Sequence, residues 1–280
     1  MKISSEDKLN QLLNREMMAK IICAQLNNFV DLKPTLITVM DHIKDLTGCE
    51  AVGIRLHDEG DYPYYAYADF PESFIKKENS LCTKDNEGNR ISSPDEKSYM
   101  LDCMCGNIID GRFDPSRSFF SNQGSFWSNN TTALLASTNE EERQSSTRNY
   151  CNSCGYESVA LIPIKTEGER IGLIQLNDMR TGMFTEDLIE YIEMIAEQVG
   201  LAVRNSLIHT KLKEANNLIN ELREILPICS YCKNIRDDKG YWNKIEAYIQ
   251  KHSGAKFSHG ICPECAEKYF PDMDLYKDVK

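Results

Sequence analysis

Four cysteines in the C-terminal part of the chain have the spacing of a metal site. They form two pairs, Cys229 with Cys232 and Cys262 with Cys265, and two residues separate the thiols of each pair. Two thiolates at this spacing bind one edge of a zinc tetrahedron, with sulfur at roughly 2.3 Å from the metal, and a second pair completes it. The sequence therefore predicts a structural zinc site, and His259 is a further candidate ligand.

Five more cysteines lie between residues 79 and 157, in a polar stretch rich in glycine, serine and asparagine. They are Cys82, Cys103, Cys105, Cys151 and Cys154. A stretch of this length without regular structure is uncommon inside a compact domain, so we expect a ligand, a metal or both to order it. Cysteine thiolates bind zinc and iron–sulfur clusters, which makes a second metal site the first hypothesis. Haem bound through one thiolate and reduced cysteines without a metal are the alternatives.

Polar and aromatic side chains in the same stretch are candidates for a small-ligand pocket. They are Ser125, Phe126, Trp127, Arg148 and Tyr150. Aromatic rings beside small polar residues are typical of ligand clefts, but such rings are also common in hydrophobic cores. Both interpretations therefore stay open.

The composition restricts the class of protein. The chain has 280 residues, of which 43 are acidic and 32 basic, and its net charge is −11. Proteins that bind nucleic acids through phosphate contacts usually carry an excess of basic residues, so we expect no nucleic-acid partner. No apolar segment approaches the roughly 20 residues of a membrane-spanning helix, and the polar N-terminus does not resemble a signal peptide. These features predict a cytoplasmic protein.

Apolar periodicity predicts the elements that position these residues. Apolar residues recur every three or four positions from residue 9 to residue 46, which indicates two helices separated at Lys33 and Pro34. Short runs of β-branched and aromatic residues further along the chain indicate two hairpins. The predicted strands span residues 51–56, 62–68, 157–164 and 170–177.

A long helix is predicted after the second hairpin. Thr185 precedes Glu186 and Asp187, which is a helix N-cap pattern, and few helix breakers occur before Pro227. Residues in its distal half recur at spacings of four and three, as in a coiled-coil seam. The seam consists of Leu201, Asn205, Ile208, Leu212, Ala215, Ile219, Leu222 and Leu226. This pattern predicts a parallel homodimer, and a helix packed on its own domain is the alternative.

Residues 15–205 resemble a GAF domain. The segments that carry the resemblance are 124–129, 155–164 and 171–178. They are similar to a cysteine-containing subgroup of GAF domains in bacterial and archaeal sensor proteins. The resemblance implies an α+β fold, in which helices flank an antiparallel sheet and a closing helix transmits a signal. It also implies that the domain binds a small molecule, a tetrapyrrole or a metal.

The same resemblance implies a set of metal ligands within the GAF domain. The subgroup usually has counterparts of four cysteines, namely Cys82, Cys103, Cys105 and Cys151. These four are therefore the implied ligands of a second zinc ion or an iron–sulfur cluster, and Cys154 is a spare thiol or an extra ligand.

The C-terminal segment from residue 226 to residue 271 resembles a short module that follows GAF, PAS and receiver domains in signalling proteins. We expect a treble-clef or ribbon-like zinc finger there, with a helix over residues 242–251 and a last helix that begins at Cys262. The predicted domains are a GAF sensory domain, a linker helix and a zinc-binding module. They span residues 1–205, 206–226 and 227–280, respectively.

Together these features predict a non-enzymatic signalling protein. Its GAF domain would sense a ligand, a metal or redox state and signal to a separate partner, such as a histidine kinase or a transcription regulator. The alternative is a transcriptional regulator that binds nucleic acid through the zinc finger. Basic residues in the finger support that alternative, namely Lys233, Arg236, Lys239, Lys244, Lys251 and Lys256. Acidic neighbours reduce the charge of this patch.

Overall fold

The computed structural model describes residues 5–93, 98–144, 147–223, 226–237, 239–273 and 276. Two compact units divide the chain, Met1–Thr210 and Lys211–Lys280. The boundary falls inside a helix, and each unit is described separately below. None of the helices in the described ranges is both long enough and apolar enough to cross a membrane.

A five-stranded antiparallel sheet forms the centre of the first unit. Its strands are β1 (Ala51–Leu56), β2 (Tyr64–Ala68), β3 (Phe126–Ser128), β4 (Ser158–Thr166) and β5 (Glu169–Asp178). Their order across the sheet is β2-β1-β5-β4-β3. Each predicted hairpin is present, because β1 pairs with β2 and β4 pairs with β5. The predicted α+β fold with an antiparallel sheet is confirmed.

Three long helices contribute to the core on one face of the sheet. They are α1 (Ser5–Asn27), α2 (Leu32–Thr47) and α7 (Glu186–Arg223). Buried residues of α2 and α7 pack with Ile54, Ile162 and Ile174 of the sheet in one apolar cluster. These three isoleucines come from β1, β4 and β5, so the helices cover the middle of the sheet.

The boundary between the first two helices differs from the prediction. The sequence placed the break at Lys33 and Pro34, but α2 begins at Leu32 and contains both residues. Asp31 caps this helix, because its side chain accepts a hydrogen bond from the backbone N–H of Lys33. Proline is tolerated in the first helical turn, where its missing N–H would have no partner within the helix.

The opposite face of the sheet carries the stretch that the sequence marked as irregular. It contains α4 (Cys103–Asp110), β3, α5 (Thr131–Ser137) and α6 (Tyr150–Ser153), and α3 (Glu72–Glu78) precedes it. Buried Phe74, Phe126 and Tyr156 pack there with Ile108 and Leu161 in a second apolar cluster. Short helices and an aromatic core therefore order this stretch.

The long helix α7 confirms the predicted closing helix. The Thr185 hydroxyl accepts a hydrogen bond from the Leu188 N–H at 3.3 Å, as an N-cap does. The predicted end near residue 225 lies outside the described residues.

The second unit contains a short hairpin and two helices. These are β6 (Ile235–Arg236), β7 (Trp242–Asn243), α8 (Ile245–Ser253) and α9 (Pro263–Tyr269). The predicted helix start at Trp242 is wrong, because Trp242 and Asn243 form the strand that pairs with β6. The predicted final helix is present, with Cys262 at its N-cap position.

Candidate functional site

A cavity of about 60 Å³ lies on the face of the sheet that the three long helices do not cover. Residues of α4, α5, α6, β3 and β4 line it, together with the loop before α6. The lining residues are Cys103, Met104, Cys105, Phe126, Thr131, Leu134, Leu135, Arg143, Thr147, Asn149, Tyr150, Cys151, Asn152, Val159 and Leu161. A largely apolar wall with a few polar groups is typical of a small-molecule site.

Three thiols converge on this cavity from two different helices. Cys103 and Cys105 belong to α4, and Cys151 belongs to α6. The thiols of Cys103 and Cys105 are hydrogen-bonded to each other. The amide of Gln175 approaches the Cys151 sulfur at 3.7 Å. Every cysteine of the chain is free of disulfide bonds.

These three thiols differ in acidity. A hydrogen bond from Cys105 lowers the pKa of Cys103 to about 6, against the opposing effect of burial, and the Arg148 guanidinium also lowers it. The shared proton raises the pKa of Cys105 well above its ordinary value, and burial adds to this shift. Burial raises the pKa of Cys151 to about 12. Cys103 is therefore the cavity thiol that ionises first.

The backbone at Cys103 has an unusual conformation. Cys103 is the first residue of α4 and its φ angle is +67°, in the left-handed region. The Asp102 carboxylate accepts a hydrogen bond from the Cys103 N–H at 2.6 Å, which caps the helix and holds this conformation. Non-glycine residues with positive φ are strained, and such strain often occurs at functional sites.

A buried polar layer lies behind the thiols on the sheet. The Tyr64 hydroxyl donates to Gln175 Oε1 at 2.7 Å, and Gln175 Nε2 lies 3.0 Å from Asn177 Oδ1. Arg55 is fully buried and donates to the carbonyl oxygens of Glu78 at 2.6 Å and Tyr62 at 3.0 Å. These partners satisfy most of the polar atoms of the layer and fix the sheet surface below Cys151.

The residues predicted for a ligand pocket separate into two groups. Phe126 and Tyr150 line the cavity, whereas Ser125, Trp127 and Arg148 are absent from its wall. Side chains alternate along a strand, so Trp127 points to the opposite face from Phe126 and packs against the core below α7. Arg148 lies between Glu78 and Asp102, at 3.6 and 3.5 Å.

Ser125 instead connects the edge of the sheet to α7. The hydroxyls of Ser121 and Ser125 both donate to Oε1 of Glu193, each at 2.5 Å. Glu193 is buried although it carries a carboxylate. Because Ser125 immediately precedes Phe126 of the cavity wall, this contact joins the cavity to the long helix.

The other two cysteines predicted for the GAF domain do not line the cavity. The Cys82 thiol contacts the Gly60 carbonyl oxygen at 3.8 Å, and Cys82 does not line the cavity. Cys154 is hydrogen-bonded to the Tyr150 hydroxyl. Within the described ranges, no three histidine, cysteine, aspartate or glutamate side chains are arranged to hold a metal ion.

The C-terminal cysteines likewise belong to no group of three metal-binding side chains among the described residues. Cys229 is hydrogen-bonded to Cys232, and Cys262 to Cys265, so the members of each pair are adjacent. The described residues do not gather the two pairs around one point. His259 is exposed. The donor set of each pair fits one edge of a zinc site, and the complete site is not formed.

Two residues of this region were missed by the sequence analysis. Arg143 lines the cavity, but it follows three consecutive glutamates, a pattern typical of a solvated turn. Glu193 lies among other acidic residues of α7, and only its position on the buried side of the helix distinguishes it. Helical periodicity could have indicated Glu193, and nothing in the local sequence indicated Arg143.

The comparisons with known proteins identify a domain family. The family model for the GAF domain matches residues 31–203. The chain is similar to the GAF domain of a phosphoenolpyruvate-protein phosphotransferase from Acinetobacter, with 12% identity over 74% of this chain and 97% of the other and a TM-score of 0.45. The corresponding GAF domain from Coxiella burnetii gives 14% identity over 72% of this chain and 98% of the other, with a TM-score of 0.47. No curated protein matches the chain significantly in sequence.

A third similar structure corrects the expectation of a non-enzymatic protein. It is free methionine-R-sulfoxide reductase from Neisseria meningitidis, solved with its substrate. Its identity is 14% over 74% of this chain and 96% of the other, and its TM-score is 0.46. This finding contradicts the prediction of a non-enzymatic protein. The family match itself covers more than half of the sequence, and the chain belongs to the GAF domain family.

Proposed function

We propose that this protein is a signal-transduction protein whose input site is the thiol-lined cavity. The observation that carries the proposal is the convergence of Cys103, Cys105 and Cys151 on one cavity of a GAF domain, a domain typical of signalling sensors. A ligand that enters the cavity, or a reagent that modifies its thiols, would displace the surrounding helices. Apart from β4, the cavity wall consists of short elements, which cost little to move.

The contact between the sheet edge and α7 supplies a route for the signal. Displacement of Phe126 moves Ser125, whose hydroxyl is bonded to Glu193 of α7. A buried carboxylate cannot lose its donors without a large desolvation cost, so the helix is expected to follow the serines. The route is short, because one strand connects the cavity wall to the helix.

Modification of the cavity thiols tests the proposal. Methyl methanethiosulfonate transfers a methylthio group to a thiolate and releases methanesulfinate, so it fills part of the cavity. We expect altered amide hydrogen exchange in residues 119–128 and in α7 around Glu193. A variant with serine at Cys103, Cys105 and Cys151 should show neither change. Cys49→Ser is the matched control, because Cys49 is buried in the core on the other face of the sheet.

The coupling itself is tested at Glu193. Glu193→Ala removes the acceptor of both serine hydroxyls, so the change in α7 should disappear while the change in residues 119–128 remains. Glu197→Ala alters an exposed carboxylate of the same helix and should leave both changes intact. The proposed function would be contradicted if methylthiolation of a cavity thiol in the wild type left its amide hydrogen exchange unchanged.

The output is proposed to involve a second copy of the chain. Leu201, Ile208, Leu212 and Ile219 of the predicted seam are all exposed, at 46, 49, 56 and 46%. Exposed leucines and isoleucines at heptad spacing favour a parallel coiled coil over a helix packed on its own domain. The GAF domain would then act on a dimer and on a separate signalling partner.

The C-terminal unit is proposed to hold structural zinc through Cys229, Cys232, Cys262 and Cys265. The adjacency of the thiols within each pair supports this proposal, because each pair already has the form of one edge of a tetrahedral site. Zinc would supply the folding energy that a small unit with few buried side chains lacks. A second metal bound by the GAF cysteines stays a prediction.

A further inference from the structure

The cavity contains one buried cation. Arg143 is the only residue of the cavity wall with an arginine, lysine, aspartate or glutamate side chain, and it is 7% exposed. Burial of a guanidinium group is costly unless an anion or a full set of hydrogen-bond acceptors compensates the charge.

The hydrogen bonds of Arg143 leave part of its guanidinium without an acceptor. Nη1 donates to the carbonyl oxygen of Thr138 at 2.6 Å and to the hydroxyl of the same residue at 3.0 Å. Nε is inaccessible to solvent and has no hydrogen-bond partner among the described residues. Nη2 likewise has no acceptor among the described residues, so it is the guanidinium nitrogen left to donate to a ligand.

No carboxylate of the described residues forms an ion pair with Arg143. The nearest sequence neighbour, Glu142, is bound to Arg117 at 2.9 Å, although Arg143 contributes to its lowered pKa. Among the thiols of the wall, Cys103 ionises most readily, and Cys105 and Arg148 already stabilise its charged form. By contrast, Arg148 outside the cavity has two carboxylates near it.

We propose that the cavity binds a small monoanion whose planar, oxygen-bearing head group accepts a hydrogen bond from Arg143. Carboxylates and nitrate share this head group, and a guanidinium matches it in shape. The volume of about 60 Å³ admits a ligand of about four to six non-hydrogen atoms, taking about 10–15 Å³ for each water-sized sphere. Asn149 offers a further polar contact, and leucines of α5 would cover the apolar part of a short chain. This inference rests on the proposed function, because it names the ligand class of the same input site.

Thermal unfolding of the full chain tests the proposal. Formate, acetate, propionate and nitrate are titrated at constant ionic strength, with chloride as the reference ion. A ligand that binds only the folded state raises Tm in a saturable manner. We expect this rise for at least one of the four anions and none for chloride. A response to carboxylates alone identifies an organic acid, and a response to nitrate alone identifies an inorganic oxyanion.

Two substitutions of Arg143 locate the site. Arg143→Gln should abolish the saturable rise, and Arg143→Lys, which keeps the charge but not the guanidinium, should weaken binding about tenfold or more. The lysine variant gives the same test if the glutamine variant does not fold, as judged by circular dichroism. Arg204→Gln is the matched control and should retain the response, because Arg204 is paired with Glu167 and does not line the cavity.

The outcomes separate this inference from the proposed function. If no anion stabilises the protein beyond chloride, or if Arg143→Gln retains the response, the anion site is wrong. If methylthiolation of the cavity still alters α7 in that case, the input site stands and only its ligand class is wrong. Saturable, Arg143-dependent binding without any coupling to α7 would support the anion site and overturn the proposed function.

Discussion

Cys103 differs from the other cavity thiols in the groups around its sulfur. A thiol donor, a backbone N–H of Arg148 and the Arg148 guanidinium all favour its thiolate. Cys151 has no comparable set, and burial dominates its raised pKa. The same cavity thus holds one thiol suited to nucleophilic chemistry and one that stays protonated.

This difference predicts the order of thiol modification. Because Cys105 and Arg148 lower the pKa of Cys103, a larger fraction of Cys103 than of an ordinary thiol is thiolate at pH 7. Cys103 should therefore react with methyl methanethiosulfonate before Cys151, and its rate should fall as the pH drops below about 6. Mass spectrometry of peptides from samples quenched at successive times measures both effects.

Cys105→Ala tests the cause of that reactivity. It removes the hydrogen bond that is the largest contribution to the lowered pKa, so the pH midpoint of Cys103 modification should move upward. Cys154→Ala removes a thiol whose partner is Tyr150 and should leave the midpoint unchanged. Equal pH midpoints for wild type and Cys105→Ala would show that another group sets the pKa of Cys103.

At the scale of elements, the sequence predicted the parts whose pattern is periodic. Both hairpins and α7 follow from apolar periodicity, and the Thr185 cap follows from residue type. The start of α8 was misplaced, because Trp242 suits a short strand as well as a helix. Only the pairing with Arg236 selects the strand, and that pairing is a tertiary contact.

The candidate site was only partly predictable, because it depends on contacts between distant segments. Cys105 and Cys151 could be recognised as residues able to do chemistry, but the sequence could not show that they share a cavity. The alternation of side chains along a strand could have predicted that Phe126 and Trp127 point to opposite faces of the sheet. Whether an arginine has a carboxylate beside it depends on the folded chain. The sequence therefore could not show that Arg148 has such partners and that Arg143 has none among the described residues.

The exposed stripe of α7 leads to a prediction about oligomeric state. Leu212→Asp places a charge in the proposed seam, where burial against a second helix would cost several kcal/mol. The variant should therefore be monomeric under conditions in which the wild type is dimeric, as measured by light scattering after size-exclusion chromatography. Lys211→Asp changes an exposed residue that is not part of the seam and should leave the dimer intact. A monomeric wild type would contradict the seam.

For the whole molecule, the cysteines divide into two sets with different surroundings. The cavity thiols have protein partners, since the Cys103 thiol is hydrogen-bonded to the Cys105 thiol and the Gln175 amide approaches the Cys151 sulfur. The contacts of Cys229 and Cys262 are with the other member of their own pair and with backbone N–H groups of the same short loop, and three of the four C-terminal cysteines are exposed. A metal bound by the cavity thiols would thus have to displace their existing protein contacts. A metal bound by the C-terminal cysteines would instead join their two pairs.

Metal analysis of anaerobically purified protein, combined with an ultraviolet–visible spectrum, tests this division. We expect one zinc ion per chain at the C-terminal site, because tetrahedral thiolate sites favour zinc, and this ion contributes no visible absorption. Cys229→Ser and Cys262→Ser should each lose that zinc, since three thiolates bind it more weakly than four. Cys103→Ser is the matched control and should retain it. A second zinc ion or an iron chromophore that disappears in Cys103→Ser would instead establish a metal in the GAF domain, and zinc-free wild type would contradict the C-terminal site.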